Sequence, residues 1–104
     1  MARIPKRVVH DVMTTSSATY YTVPTSTSLE ITSIVISNIT ANTETVTLNL
    51  GGLDFPNAFE VPANDMITIP LTDSPIKLNA DETIDGVAST ESAINIHIAG
   101  VEVS

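Results

Sequence analysis

The chain has 104 residues, no cysteine, no tryptophan and a formal net charge of −8, which bounds it to one domain with a modest core and no disulfide staple. Three of its four bases, Arg3, Lys6 and Arg7, fall in the first seven positions, and after residue 10 only Lys77 stands against twelve acids; such a body repels phosphate, so no nucleic-acid partner is expected. No apolar run approaches the roughly 18 residues that span a bilayer, and no apolar stretch at the start resembles a signal peptide, so the expectation is a protein made without export and with no membrane partner.

In chain order, residues 1–17 come first, and "MARIPKRVVHDVMTT" reads as a basic, partly apolar N-terminal arm. Extended, it would reach about 50 to 60 Å, against a body with a radius of gyration of about 13 Å. Ile4, Val8, Val12 and Met13 also fall near one face at helical spacing, with Pro5 suited to a first turn, so a short helix competes with the extended form. Three valines weigh against the helix. Termini fray unless tied down, so an ordered arm packs on its own body or on a neighbour.

From residue 18 onward short apolar runs alternate with turn residues, the pattern of an all-β sandwich or barrel. "ATYYTVP" is a first strand ended by Pro24. "SLEITSIVISNI" and "TETVTLNLGG" flank the polar loop "TAN" and read as a hairpin. In the second, Val46, Leu48 and Leu50 share one face. In the first, Leu29 and Ile31 differ in parity from Ile34 and Ile36, which implies burial on both faces or a bulge near Ser33.

"AFEVP", "DMITIPL", "PIKLN", "ETIDGVAS" and "AINIHIAGVEV" complete the set. In the last, Val101 and Val103 break the parity of Ile94, Ile96 and Ile98, which places a bulge at Gly100. "PANDMITI" and "LNADETID" share a turn-then-strand design, with Ala63 matching Ala80 and Ile67 matching Ile84. The expected architecture is a single antiparallel β-sandwich of seven or eight strands over residues 18–104; jelly-roll and immunoglobulin-like connections fit the strand count equally.

The inventory for chemistry is thin. His97 lies opposite the isoleucine face and reads as a surface or interface histidine, and His10 belongs to the arm. No nucleophile elbow or triad pattern is evident, so neither catalysis nor a cofactor is expected. Asn79, Asp81, Glu82 and Asp85 crowd one turn with oxygen ligands but without EF-hand spacing, so they read as a solvated turn and not as a metal site. "NIT" at Asn38 is a chance-level sequon. Tyr20 and Tyr21 are the only aromatic candidates for a sugar platform, and in a regular strand at most one would face outward.

What remains is an acidic β-module carrying a docking arm. Arg3, Lys6 and Arg7 would guide the arm toward an acidic surface, and Ile4, Val8, Val9, Val12 and Met13 would hold it there.

The stretch "YYTVPTSTSLEITSIVISNITANTETVTLNLGG", followed by "FEVPANDMITIPL", "PIKLNADETIDGVAS" and "AINIHIAGVEVS", resembles small all-β virion proteins of tailed bacteriophages over about residues 20–104. That resemblance implies a virion location after assembly in the host cytoplasm, and a head decoration or cement protein that binds the major capsid protein or another virion protein. It brings no catalytic residues with it. The expected homo-oligomer is a trimer, and the alternatives are a neck or tail component and a carbohydrate-binding module.

Overall fold

The β-branched, period-two stretches of the sequence fold as ten strands and no helix in a computed structural model that describes residues 2–54 and 57–104. They are β1 (Arg3–Val12), β2 (Ala18–Thr22), β3 (Ser28–Asn38), β4 (Glu44–Leu50), β5 (Leu53–Asp54), β6 (Phe59–Val61), β7 (Met66–Pro70), β8 (Ile76–Leu78), β9 (Thr83–Ala88) and β10 (Ile94–Val103). Sheet A runs β1-β10-β3, with β7 and β8 both along the far side of β3; sheet B runs β2-β9-β4, with β5 and β6 both along β4.

Because β7 and β8 pair with successive parts of β3, and β5 and β6 with successive parts of β4, each couple acts as one interrupted edge strand. The chain then crosses between sheets at every step except the turn from β4 into the β5–β6 edge, giving the two four-strand orders of a jelly roll. This decides between the two connectivities that strand count left open. It also corrects the hairpin expected of β3 and β4, which lie in different sheets. The loop "TAN" is a corner between layers, and its polar residues build that corner.

The core fills the space between the sheets. Leu29, Ile31, Ile34, Ile36, Ile94, Ile96 and Ile98 of sheet A face Val46, Leu48, Leu50 and Ile84 of sheet B, none more than 3% exposed. Each such side chain stabilises the fold by about 1.5 to 3 kcal/mol through burial. The parity break in β3 is a bulge at Thr32, which falls between Ala99 opposite Ser33 and Gly100 opposite Ile31. Thus Leu29, Ile31, Ile34 and Ile36 all face inward.

The bulge read at Gly100 belongs instead to β3. β10 keeps its parity, so Gly100 stays inward and Val101 and Val103 turn to the outer face. A Cβ at Gly100 would stand 2.6 Å from the Glu30 carbonyl oxygen, so the bulged backbone of β3 is what demands glycine there.

The shared turn of "PANDMITI" and "LNADETID" is real and recurs twice more. In Pro24–Thr27, Pro62–Asp65, Asn79–Glu82 and Thr90–Ala93 the fourth N–H donates to the first carbonyl. The third residue, Ser26, Asn64, Asp81 or Ser92, has a positive φ, and a strand starts two residues later.

Candidate interaction faces

The segment expected to form an arm is the outer strand of sheet A. β1 pairs antiparallel with β10 from Arg3 opposite Val103 to Val12 opposite Asn95, with a bulge at Val8. Ala2 and Ser104 exchange both backbone hydrogen bonds beyond the strand ends. The stretch is extended and not helical, and it docks on its own body. The line drawn at residue 17 therefore separates no structural unit, since residues 3–12 complete the sheet that β3 and β10 begin.

The eight residues expected to grip a partner divide accordingly. Val9 is 4% exposed and Met13 is fully buried, so both already belong to the core. Val8 is half-buried at the bulge and packs against that core. Ile4 and Val12 remain open to solvent, as does Arg7. Arg3 spans β10 to reach Glu30 on β3 at 2.9 Å, and holds the Glu30 carboxyl below its ordinary value. Lys6 lies 3.5 Å from Glu102 and 5.4 Å from the centre of the Tyr21 ring. The latch imagined for a neighbour operates within the chain, with charge at its first half and apolar burial at its second.

Tyr21 donates its hydroxyl hydrogen bond to Glu102 and so ties β2 of sheet B to β10 of sheet A. Burial, then the Glu102 carboxylate, pushes the Tyr21 hydroxyl well above its ordinary value. A third bulge, at Tyr20, turns both tyrosines toward the core, where each is half-buried. The aromatic platform required by a sugar-binding reading is thus turned inward.

The opposite end of the sandwich holds a network that sequence reading missed. Asn38 is 2% exposed, donates to the carbonyls of Asn42, Val61 and Pro62, and accepts from the Thr40 N–H and hydroxyl. Glu44 accepts from the hydroxyls of Ser89 and Thr90 at 2.7 Å, and the Thr40 hydroxyl, shared with Asn38, lies 3.3 Å from it. Those donors hold its carboxyl below the ordinary value. Asn38, far from being a glycan acceptor, is the joint of the corner. The Asx turn from Asn38 to Thr40 was the available signal.

Strand alternation assigns the outward side chains. Sheet A presents Arg3, Arg7 and Lys77 against Glu30, with Asp11 at the edge strand, around a patch that includes Val35, Val101 and Val103. Sheet B presents Asp54, Glu60 and Asp85 among Thr19, Thr45, Thr47 and Asn49, with no base among its described residues. The two broad faces therefore carry opposite charge. On the outer side of sheet A, His10 and His97 stand opposite each other, and a shallow groove of about 400 Å³ passes over them.

The crowded acidic turn is accounted for locally. Asp81 accepts from the Thr25 hydroxyl, Glu82 accepts from the Asn79 N–H, and Asp85 points from β9 to the outer face of sheet B. No three His, Asp or Glu side chains converge as metal ligands among the described residues.

No protein-family model and no curated protein matches this chain. Solved structures do. A Drosophila NLP core, studied for pentamer formation and histone binding, superposes with a TM-score of 0.53 at 13% identity, covering 95% of this chain and all of that one. A subunit of Bacillus endospore appendages, a family of disulfide-linked pili, superposes with a TM-score of 0.54 at 11% identity over 99% of this chain and 88% of that one. At such identities the likeness is one of fold alone.

Proposed function

We propose that this protein is a structural module that works by adhesion, joining copies of itself and a neighbouring protein lattice through the outer faces of its sandwich. The observation that carries this reading is the opposite charge of those two faces, three bases against Glu30 and the groove-edge Asp11 on sheet A and three acids with no base among the described residues of sheet B. A basic face laid on the acidic face of the next copy is a heterologous contact, which closes into a ring or continues as a filament. The trimer expected from the sequence would need a three-fold turn between copies, whereas faces on opposite sides of one sandwich favour a continuing stack. Oligomeric assembly is also what both structural neighbours are described for, a pentamer in one and pili in the other.

The most specific form of this proposal is a decoration protein on a bacteriophage head, as the resemblance over residues 20–104 suggests. Many weak contacts on a repeating lattice add through avidity, so a salt-sensitive face suffices for firm attachment. The test is cosedimentation of the purified protein with empty phage heads that lack it, with copies per head counted. Hundreds of copies, and heads that rupture at higher temperature, support decoration. About a dozen copies would point to the neck, and no binding to any virion part would overturn the virion reading. Deleting residues 1–13 would not isolate the contact with a partner, because it removes an edge strand and the buried Val9 and Met13.

A neck or tail component is the second reading, since a heterologous contact that repeats face to face also builds a continuous stack.

A further inference from the structure

His10 on β1 and His97 on β10 are register partners across an antiparallel pair. Their Nδ1 atoms lie 3.1 Å apart, and the rings meet edge to face at 87° with centroids separated by 5.4 Å. Both side chains open onto the groove on the outer face of sheet A, which Asp11, Ser37 and Asn95 also border. Between two neutral imidazoles this spacing is an N–H···N hydrogen bond, with one ring protonated at Nδ1 and the other accepting.

The same spacing suits two nitrogens bound to one ion. With metal–nitrogen bonds of about 2.0 to 2.1 Å, nitrogens 3.1 Å apart subtend roughly 100° at the metal, between the square angle of tetragonal sites and the wider angle of tetrahedral ones. The strand pairing fixes both Cα positions, so little ordering is left for binding to impose. We infer that His10 and His97 form a two-histidine clip for a borderline divalent transition ion, Zn²⁺, Ni²⁺ or Cu²⁺, with water in the remaining positions. Imidazole selects these ions over Mg²⁺ and Ca²⁺, which take oxygen ligands.

Binding conserves charge and protons in simple terms. The ring that carries Nδ1–H shifts its proton to Nε2 through solvent, and both Nδ1 lone pairs then point to the ion. Acid competes by protonating either ring. The charged groups nearest the pair are Asp11 and Arg7 on β1, while β10, β3 and β7 contribute Asn95, Val35, Ser37 and Thr68, all uncharged. The ion would clamp edge strand β1 to central strand β10, so occupancy stabilises the sheet where it is otherwise open to solvent. This inference does not depend on the assembly reading.

The test uses the full chain without an affinity tag, stripped with chelator and titrated with zinc or nickel chloride in a calorimeter. One ion per chain is expected, together with a rise in Tm that magnesium does not produce. His10→Ala and His97→Ala should each weaken binding at least tenfold and abolish the Tm rise, with unchanged circular dichroism in the absence of metal. Should either variant fail to fold, nitrogen NMR of the intact protein gives the answer, since both Nδ1 resonances must shift on zinc addition and neither Nε2 should shift as a ligand. Absence of binding, binding unchanged in both variants, one ion per two chains, or Nδ1 resonances that stay in place would each overturn the inference.

Discussion

The two ends of the sandwich are joined by different chemistry. At the end where β1 begins, the contacts between strands rest on carboxylates half open to water: Arg3 and Glu30 and Lys6 and Glu102 as ion pairs, and Tyr21 donating to Glu102. At the end where β1 finishes, Met13 is fully buried and its backbone is bonded to Ile94 and Ser92, close to the Asn38 and Glu44 network. A β-strand can be docked by charge, but exposed ion pairs are worth little. Burial and satisfied polar groups supply most of the attachment. The difference explains why the basic residues at the start of the chain are so noticeable in sequence and carry so little of the fold. Charges on a sheet edge have a second use, because they discourage edge-to-edge pairing with other chains.

The largest expected effect lies at the buried end. Met13→Ala should cost about 2 to 5 kcal/mol, read as a lower midpoint in urea. The void it leaves borders Gly86, whose added Cβ would stand 2.7 Å from the methionine methyl. Asn38→Ala comes next, at about 2 to 3 kcal/mol, because it strands several buried backbone groups; the Tm should fall by roughly 10 to 20 °C. An equal loss at Lys6 would erase the distinction between the two ends.

Acid titration sharpens the comparison. The Glu44 carboxyl sits below its ordinary value because hydroxyl donors favour its charged form. Its stabilisation is therefore present in full above the ordinary carboxylate range and is lost as pH falls through the lowered folded value. Glu30, held down by Arg3, acts in the same sense at the other end. Glu44→Gln should flatten the acid limb of a Tm-versus-pH curve more than Glu30→Gln does, since the Glu30 pair is open to solvent. A steeper dependence on Glu30 would reverse the ranking.

The smallest effect is expected at Lys6. Lys6→Ala should cost less than about 1 kcal/mol, and the cost should vanish in high salt while that of Asn38→Ala persists. Ser92→Gly moves stability the other way, by up to about 1 kcal/mol, since Ser92 holds a φ of 59° that glycine adopts without strain.

Much of this was legible in the sequence because burial alternates with parity. The runs around Val46, Ile67 and Ile94 announced their strands, and the parity conflict of Leu29 and Ile31 with Ile34 and Ile36 located the β3 bulge within one residue of Thr32. What escaped was long-range. Gly100 looked like a bulge, yet the irregularity sits on the strand beside it, and only the pairing reveals which backbone carries the extra residue. β3 and β4 looked like a hairpin, because a short polar loop serves a sheet-to-sheet corner as well as a tight turn. Two of the four recurring turns were visible through the match of Ala63 with Ala80 and of Ile67 with Ile84, and their third residues, Asn64 and Asp81, are types that favour a left-handed backbone; Ser26 and Ser92 are not. His10 and His97 are 87 residues apart, and no local pattern brings them together.

The central claim is that oppositely charged faces make this chain an assembling unit, and a charge exchange tests it most directly. Arg7→Glu with Lys77→Glu reverses the open bases of sheet A, and Asp54→Lys with Glu60→Lys reverses acids of sheet B. In sedimentation velocity at low salt, the native chain should associate, each double variant alone should be a monomer, and an equal mixture of the two should associate again. Native chains that remain monomeric at every concentration, or association that neither exchange disturbs, would contradict the account.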